Sequence, residues 1–242
     1  MEEKDRYKVK HLFNRMAFGI RMEIPEIASF KVAKSLMNAE KEFSPIKVTS
    51  AGKVQKSELI KLTAEDRRKL LKGRHEELRS LNVAWVNILA EESSYLKEKL
   101  AYFWHGHFAC RNGIPLYMED YVNMLRKDAL SDFKTLLTEV IKSAAMLQFL
   151  NNQQNRKSHP NENFARELLE LFTLGRGHYS ELDVKEAARA FTGWGFNESG
   201  EFEFRERQHD FGEKIFLGEK GNFNGDDIIR IILQQKQCAI FV

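Results

Sequence analysis

The chain of 242 residues lacks the features that define disulfide-rich proteins, membrane-spanning proteins and several common enzyme classes. Its only cysteines, Cys110 and Cys238, are far apart, which argues against a disulfide framework and is typical of a reducing compartment. No run of about eighteen apolar residues occurs, so no transmembrane helix is predicted. A G-x-S-x-G motif, a Walker A motif and the dinucleotide-binding glycine pattern are also absent, which leaves no standard nucleophile or nucleotide site.

The two ends of the chain carry further expectations. The first residues, MEEKDRYKVKHLF, lack the apolar segment of a signal peptide, which favours a cytoplasmic protein or an exported one whose leader has been removed. The last residues, 238–242, form an apolar run that is expected either to dock onto the fold or to continue into further natural sequence.

The composition is that of an ordinary globular protein with a large core: 43% hydrophobic and 30% charged residues, with 18 phenylalanines. The net charge of +3 is unevenly distributed, because residues 53–79 contain nine basic and five acidic side chains. A solvated helix face explains this segment, and an anionic partner is the alternative. Aromatic residues do not interleave with the basic ones, so nucleic acid is not expected as a partner.

Apolar residues recur at helical spacing along most of the chain, most regularly in a helix that Ser131 is predicted to cap. Residues 41–62 lose this pattern and are predicted to form a mobile loop. Alternation around Ser199-Gly200 predicts a β-hairpin. The sequence therefore predicts a mainly α, multi-helix single domain over residues 1–242, with a small β-hairpin element near residues 196–218.

The most informative stretch is the central segment, residues 159–175 (HPNENFARELLELFTLG). Pro160 and Asn161 are typical of a helix start, and Gly175 is typical of a helix end, so a helix is predicted at residues 162–174. At about 100° per residue, one face is apolar and the other gathers polar side chains. These are Glu162, Asn163, Arg166, Glu167 and Glu170.

Two interpretations of this polar face remain open. The spacing of Glu162, Arg166 and Glu170 is that of intrahelical ion pairs, which are usually exposed. The functional interpretation is a pocket in which carboxylates, held by the arginine, do acid–base chemistry or bind cations. On that hypothesis Glu162, Arg166, Glu167 and Glu170 are the candidate catalytic residues.

His105 and His107 flank Gly106 and are the candidate metal ligands. On a strand they would point the same way and hold one ion, whereas on a helix they would lie about 200° apart and could not. A third ligand, His209 or a carboxylate of the central segment, would complete a divalent-metal site. The alternative is that these histidines cap helices or form hydrogen bonds beside Trp104.

The candidate ligand-binding residues lie around the same helix. Asn161 and Asn163 stand at its predicted start, and Arg189, Trp194 and the pair His209-Asp210 are expected to close over the same region. Trp104, beside the candidate histidines, is a further ligand-binding candidate. Core packing is the alternative for Trp194, and a turn is the alternative for the pair His209-Asp210.

Several segments together resemble one known family: residues 11–19, 103–108, 160–175, 179–194, 209–212 and 216–218. The family is a bacterial one catalogued only as domain of unknown function number 1800. The resemblance spans almost the whole chain and implies the N-terminal portion of a longer family domain. Many members carry export signals and are encoded beside an alkaline-phosphatase-like family, which implies export and a protein partner. The resemblance brings no reaction and no catalytic residue.

Two function hypotheses follow from these patterns. The first is an enzyme or ligand-binding protein with a carboxylate and histidine pocket, suited to hydrolytic or metal-assisted chemistry. The second is a non-catalytic helical scaffold or partner subunit, in which the same charges are surface pairs. Burial of the central polar face and its distance from His105 and His107 would discriminate between them.

Overall fold

A computed structural model describes residues 3–18, 31, 43–49, 62–90 and 96–242. Within these residues the protein is mainly helical, with ten α-helices and two small antiparallel sheets, which confirms the predicted fold class. No helix in this part of the chain is long and apolar enough to cross a membrane.

Six of the described helices precede the central segment. They are α1 (Glu3–Met16), α2 (Ala64–Ala90), α3 (Leu96–His107), α4 (Pro115–Asp128), α5 (Phe133–Lys142) and α6 (Ala144–Phe149). A short 3₁₀ turn, Asn152–Gln154, then leads towards the central segment.

The remaining described helices lie in the central segment and after it. They are α7 (Asn163–Glu167), a π-helix (Leu168–Thr173), α8 (Glu181–Ala190), α9 (Gly225–Gln234) and α10 (Lys236–Phe241).

Two hairpins lie between α8 and α9, where the sequence predicted one small β-hairpin element. Strand β1 (Trp194–Phe196) pairs with β2 (Phe202–Phe204), and β3 (Lys214–Phe216) pairs with β4 (Glu219–Gly221), both antiparallel. A 3₁₀ turn at Glu206–Gln208 separates the two sheets. Each strand has only three residues, so the hairpins decorate a helical core and do not form one of their own.

The core divides into two clusters of buried side chains. The larger joins α4 to α9 and includes the aromatic residues Phe108, Tyr121, Phe164 and Phe191. The smaller lies between α2, α3 and α4, and consists of Ile46, Leu81, Trp85, Ala101, Val122 and Ala129. The central segment packs on the larger cluster, whereas residues 43–49 pack on the smaller one. The rest of the predicted 41–62 loop, apart from Leu62, lies outside the described residues.

The predicted helix after Ser131 is in fact two helices. Asp132, and not Ser131, caps α5, because its carboxylate accepts a hydrogen bond from the backbone N–H of Thr135. Ser143 adopts an extended conformation, donates its hydroxyl to the Val140 carbonyl at 2.6 Å and starts α6. A serine can interrupt a helix in this way without disturbing its apolar periodicity.

Candidate functional site

An open pocket lies where the central segment begins its helix, and its volume is about 620 Å³. Ligand sites for small molecules commonly have volumes of about 300–1,000 Å³. The lining residues are Gln154, His159, Pro160, Asn161, Glu162, Asn163 and Arg166. Four of the sequence-predicted site residues therefore line a single pocket: Asn161, Glu162, Asn163 and Arg166.

Asn161 shapes the entry into the helix. Its Oδ1 accepts a hydrogen bond from the backbone N–H of Asn163 at 3.0 Å, and its Nδ2 approaches the Asn151 carbonyl at 3.4 Å. The Asn163 side chain donates to the Leu150 carbonyl at 3.2 Å. The helix begins at Asn163, one residue later than predicted, with Glu162 in the cap position. Both asparagines thus fix the pocket wall to the end of α6.

A buried asparagine connects the pocket loop to a neighbouring helix. The side chain of Asn155 donates to the Ala188 carbonyl at 2.8 Å and to Oδ1 of Asn152 at 3.1 Å. Its own Oδ1 accepts from the backbone N–H of Asn161 at 2.9 Å. Since Asn155 is only 1% exposed, these bonds are made away from water. The pocket loop is therefore tied to the C-terminal end of α8.

Asn152 extends this network to the first hairpin. Its Nδ2 donates to the carbonyls of Phe191 and Trp194, at 3.3 and 3.2 Å. Gly193, with φ +81°, donates its N–H to the Asn155 carbonyl at 3.0 Å. This network was not predicted, because a run of asparagines and glutamines indicates a polar loop and gives no sign of burial.

Arg166 is held by carboxylates from two helices. Its two terminal nitrogens each lie 2.8 Å from an oxygen of Glu181, and one of them lies 3.2 Å from Glu162. The bidentate contact with Glu181 is the main cause that raises the pKa of Arg166, and the same contact lowers the pKa of Glu181. The guanidinium is thus a fixed positive charge whose donors are largely occupied. Glu181 was not predicted, because it belongs to the first turn of another helix.

The other two predicted carboxylates lie outside the pocket lining. Glu170 pairs with Arg176 and accepts a hydrogen bond from the Tyr179 hydroxyl at 3.1 Å. The hydrogen bond with Arg176 is the main cause that lowers the pKa of Glu170. Glu167 is half-buried, and its charge contributes to raising the pKa of Arg176, behind the hydrogen bond from Arg176 to Glu170. Their catalytic roles remain predictions that the geometry does not favour.

A wide helical turn explains why Glu170 does not contact Arg166. Leu168–Thr173 is π-helical, and the backbone N–H of Leu174 bonds to the carbonyl of Leu169, five residues earlier, at 2.9 Å. The sequence predicted a regular α-helix through this region. A π-turn contains one extra residue, so side chains four apart no longer stand above one another.

His105 and His107 both lie within α3, where their spacing places them on different sides. His105 packs edge-on against Trp85, with ring centroids 5.1 Å apart. His107 forms a hydrogen bond through Nε2 with the Phe172 carbonyl at 3.0 Å. Burial lowers the pKa of both histidines. Two histidines with this spacing on a helix cannot bind the same metal ion.

His209 lies in a third environment. It is 2% exposed, and its Nδ1 lies 2.8 Å from the Thr192 carbonyl. The rings of Phe204 and Phe211 pack edge-on against it. Within the described ranges, no three histidine, cysteine, aspartate or glutamate side chains come close enough to hold a metal ion. The divalent-metal hypothesis therefore gains no support.

The remaining ligand-binding candidates also lie outside the pocket lining. Trp104 donates its indole N–H to the Ala129 carbonyl at 3.1 Å, and Trp194 is buried in the larger core cluster. Arg189 forms an ion pair with Asp210 at 2.8 Å and lowers the pKa of that carboxyl. A role for these three in binding remains a prediction, since the structure gives each a structural contact instead.

Residues 11–242 match the model of a protein family described as "Protein of unknown function (DUF1800)". The chain belongs to this family. The match covers nearly the whole chain, including the pocket, α8 and both hairpins, and confirms the resemblance predicted from the sequence. The family description names no reaction. No curated protein and no solved structure matches the chain, so its function has to be argued from the site itself.

Proposed function

We propose that this member of the family binds a small polar molecule in the pocket at residues 154–166, as an enzyme or as a ligand-binding protein. The proposal rests on the identity of the residues that line the pocket. Asn161, Glu162, Asn163 and Arg166, singled out from the sequence, line one pocket of ligand size together with His159 and Gln154.

The charges favour a neutral or cationic ligand. The guanidinium of Arg166 already contacts two carboxylates, Glu162 and Glu181, which balance its positive charge and occupy three of its five N–H donors. Gln154 and His159 are exposed and offer hydrogen-bond donors and acceptors at the edge of the pocket. We therefore expect a ligand rich in hydroxyl or amine groups.

Two asparagine side chains, the buried Asn155 and the exposed Asn163, support a preformed site. Asn155 holds the backbone of Asn161 at the pocket wall, and Asn163 is anchored to α6. A site whose walls are held before binding loses less conformational entropy when the ligand arrives. This rigidity distinguishes the pocket from a crevice between mobile side chains.

An enzymatic version of the proposal rests on two side chains. Among the described residues that line the pocket, Glu162 is the only carboxylate and His159 is the only imidazole. Carboxylates and imidazoles are the usual general acids and bases. If the protein is an enzyme, these two are the groups that would move protons, and Arg166 would hold Glu162 in place.

The proposal is tested by thermal unfolding in the presence of a panel of monosaccharides, amino sugars and polyamines. A ligand that binds the folded state raises the melting temperature by mass action. We expect a compound whose effect is lost in Glu162→Gln and Asn163→Ala. Glu203→Gln is the matched control, because Glu203 also pairs with an arginine but lies outside the pocket.

Two results would contradict the proposal. One is a panel in which no compound raises the melting temperature of the wild type. The other is a stabilising compound whose effect is the same in Glu162→Gln, Asn163→Ala and the Glu203→Gln control.

A subunit role in an assembly is the second candidate function. Helix α3 exposes the adjacent aromatic residues Tyr102 and Phe103, at 55% and 52%, and aromatic side chains are enriched at protein–protein interfaces. The alkaline-phosphatase-like protein encoded beside many family members is the partner to test. Light scattering of the mixture should then show a complex that Phe103→Ser weakens.

A further inference from the structure

Glu181 contacts Arg166 although it lies outside the pocket lining. Its side chain is 70% exposed and belongs to the first turn of α8, whereas Arg166 belongs to α7 and lines the pocket. Each terminal nitrogen of the guanidinium lies 2.8 Å from a different carboxylate oxygen of Glu181. A guanidinium binds a carboxylate or a phosphate in this same parallel arrangement. Glu181 therefore occupies the edge of Arg166 with which an anionic ligand would bind.

The position of Glu181 is fixed by the start of its helix and by the packing of that helix. Ser180 caps α8 and forms a capping box with Asp183. Phe164 of α7 packs edge-on against Phe191, which directly follows α8, with ring centroids 5.0 Å apart. Both rings are buried. The backbones that carry the two members of the ion pair are therefore held in place without a ligand.

Three charges meet at this side of the pocket, one positive and two negative. Glu162, one turn before Arg166, supplies the second carboxylate at 3.2 Å. The contact with Glu181 is shorter and bidentate, and it is the main cause that raises the pKa of Arg166. Among the described residues that line the pocket, Arg166 is the only arginine or lysine. Without Glu181, the charges of Glu162 and Arg166 would balance, whereas with it one negative charge is in excess.

We propose that Glu181 is the specificity-determining residue that sets the charge of the ligand. With Glu181 in place, the pocket accepts a neutral or cationic molecule and rejects carboxylates and phosphates. Without it, two parallel N–H donors of Arg166 are released to an oxyanion. The inference rests on the ligand-binding function proposed for the pocket, and it adds the residue that selects among ligands by charge.

This role is one of selection and not of stability. An exposed ion pair contributes little to the free energy of unfolding, because both charges are hydrated again when it is broken. A binding site can nevertheless reject a ligand by presenting a like charge to it. Changes at Glu181 should therefore leave the fold intact while they alter which ligands bind. A gain of anion binding is also a result that damage to the fold would not produce.

The test measures the affinity of the full chain for inorganic phosphate in the wild type, Glu181→Gln and Glu181→Ala. The rise in melting temperature is followed during a phosphate titration at constant ionic strength, so that screening stays the same throughout. We expect Glu181→Ala to bind phosphate at least about tenfold more tightly than the wild type, as one added hydrogen bond to a charged group would give. Glu181→Gln should lie between them, because its amide loses the charge but keeps one acceptor for Arg166.

Three control variants assign the gain to Arg166. Glu181→Ala/Arg166→Met should lose it, because the released donors are gone. Arg166 is the main cause that lowers the pKa of Glu181, and Lys185 lowers it less, so Lys185 is the alternative cation. Glu181→Ala/Lys185→Met should keep the gain. Glu203→Gln removes a carboxylate that pairs with an arginine on the first hairpin, and it should bind phosphate no better than the wild type.

Two outcomes would overturn the inference. One is a Glu181→Ala variant with native circular dichroism that binds phosphate no more tightly than the wild type. The other is a gain that persists in Glu181→Ala/Arg166→Met or appears equally in Glu203→Gln, which would mean that phosphate responds to the surface charge in general.

Failure of this inference can be told from failure of the proposed function, because different ligands report on the two. The proposed function fails if no compound of the panel stabilises the wild type. The role of Glu181 alone fails if a panel compound stabilises the wild type through Glu162 and Asn163, while Glu181→Ala gains no affinity for phosphate.

Discussion

The two sides of the pocket are held together by different interactions. On one side, Asn152 and Asn155 are 0% and 1% exposed and bond to backbone groups. On the other, Arg166 joins Glu162 and Glu181 near the surface, with 34% of the arginine side chain exposed. The sequence draws attention to the charges, whereas burial makes the amides the stronger determinant of structure.

The difference follows from solvation. A buried donor or acceptor that loses its partner retains the cost of having left water, whereas an exposed ion is simply hydrated again. We therefore expect the buried asparagines to determine whether the pocket exists, and the exposed ion pairs to influence which ligand it accepts.

The largest effect is expected for Asn155→Ala. The change removes three hydrogen bonds and leaves the Ala188 carbonyl and the Asn161 N–H without their partner. At about 1–3 kcal/mol for each buried group left unsatisfied, the free energy of unfolding should fall by roughly 3 kcal/mol. Urea denaturation at neutral pH measures this fall.

Asn222→Ala is the matched control for this change. Asn222 is exposed and makes one side-chain hydrogen bond, to the Phe211 carbonyl at 3.0 Å. It should cost about 1 kcal/mol or less. Equal losses in the two variants would show that burial does not separate these asparagines.

A smaller effect is expected for Asn161→Ala. Asn161 is only half-buried, and its main contact is the hydrogen bond from the Asn163 N–H at 3.0 Å, which resembles a helix cap. Losing such a bond costs about 1 kcal/mol. The same denaturation experiment should therefore place Asn161→Ala between Asn155→Ala and the wild type. A loss as large as that of Asn155→Ala would contradict this order.

Much of the fold was predictable because helices are encoded locally. The apolar stripe of α5 is visible in the sequence. So are Pro160 and Gly175, which mark the start and the end of the helical region in the central segment. So is the alternation around Gly200 that indicates the first hairpin.

What the sequence did not reveal depends on tertiary contacts. The pairing of Arg166 with Glu181 joins two helices, and the burial of Asn155 depends on the end of α8 packing above it. The π-helical turn before Gly175 leaves the apolar periodicity almost unchanged. The sequence pattern therefore did not indicate that Glu170 pairs with Arg176 and not with Arg166.

A still smaller effect is expected for Arg166→Met. Its carboxylate partners become solvated when the arginine is lost, so the free energy of unfolding should change less than in Asn161→Ala. Measurements at low and high salt sharpen the comparison, because the small difference should shrink further when exposed charges are screened. A loss comparable to that of Asn155→Ala would show that the ion pairs hold the pocket after all.

The smallest effect should appear only as a dependence on pH. Lys157 donates its backbone N–H to the Gln208 carbonyl at 2.8 Å, so the loop that carries His159 lies beside buried His209. Burial is the main cause that lowers the pKa of His209, while nearby Lys214 lowers it further and Asp210 opposes this.

The sign of this effect follows from proton linkage. An unfolded chain has a histidine pKa of about 6.5, so between that value and the lower folded pKa the unfolded state binds the proton first. Stability is fully present above about pH 6.5 and is lost as the pH falls through the folded pKa of His209. His105 and His107 act in the same direction, so only part of the slope belongs to His209.

His209→Gln should therefore show a flatter decline in the free energy of unfolding between about pH 7 and about pH 5 than the wild type. His178→Gln, at an exposed position, is the control and should keep the wild-type slope. Urea denaturation at several pH values measures all three proteins. Identical slopes in wild type and His209→Gln would mean that His209 does not contribute to the decline.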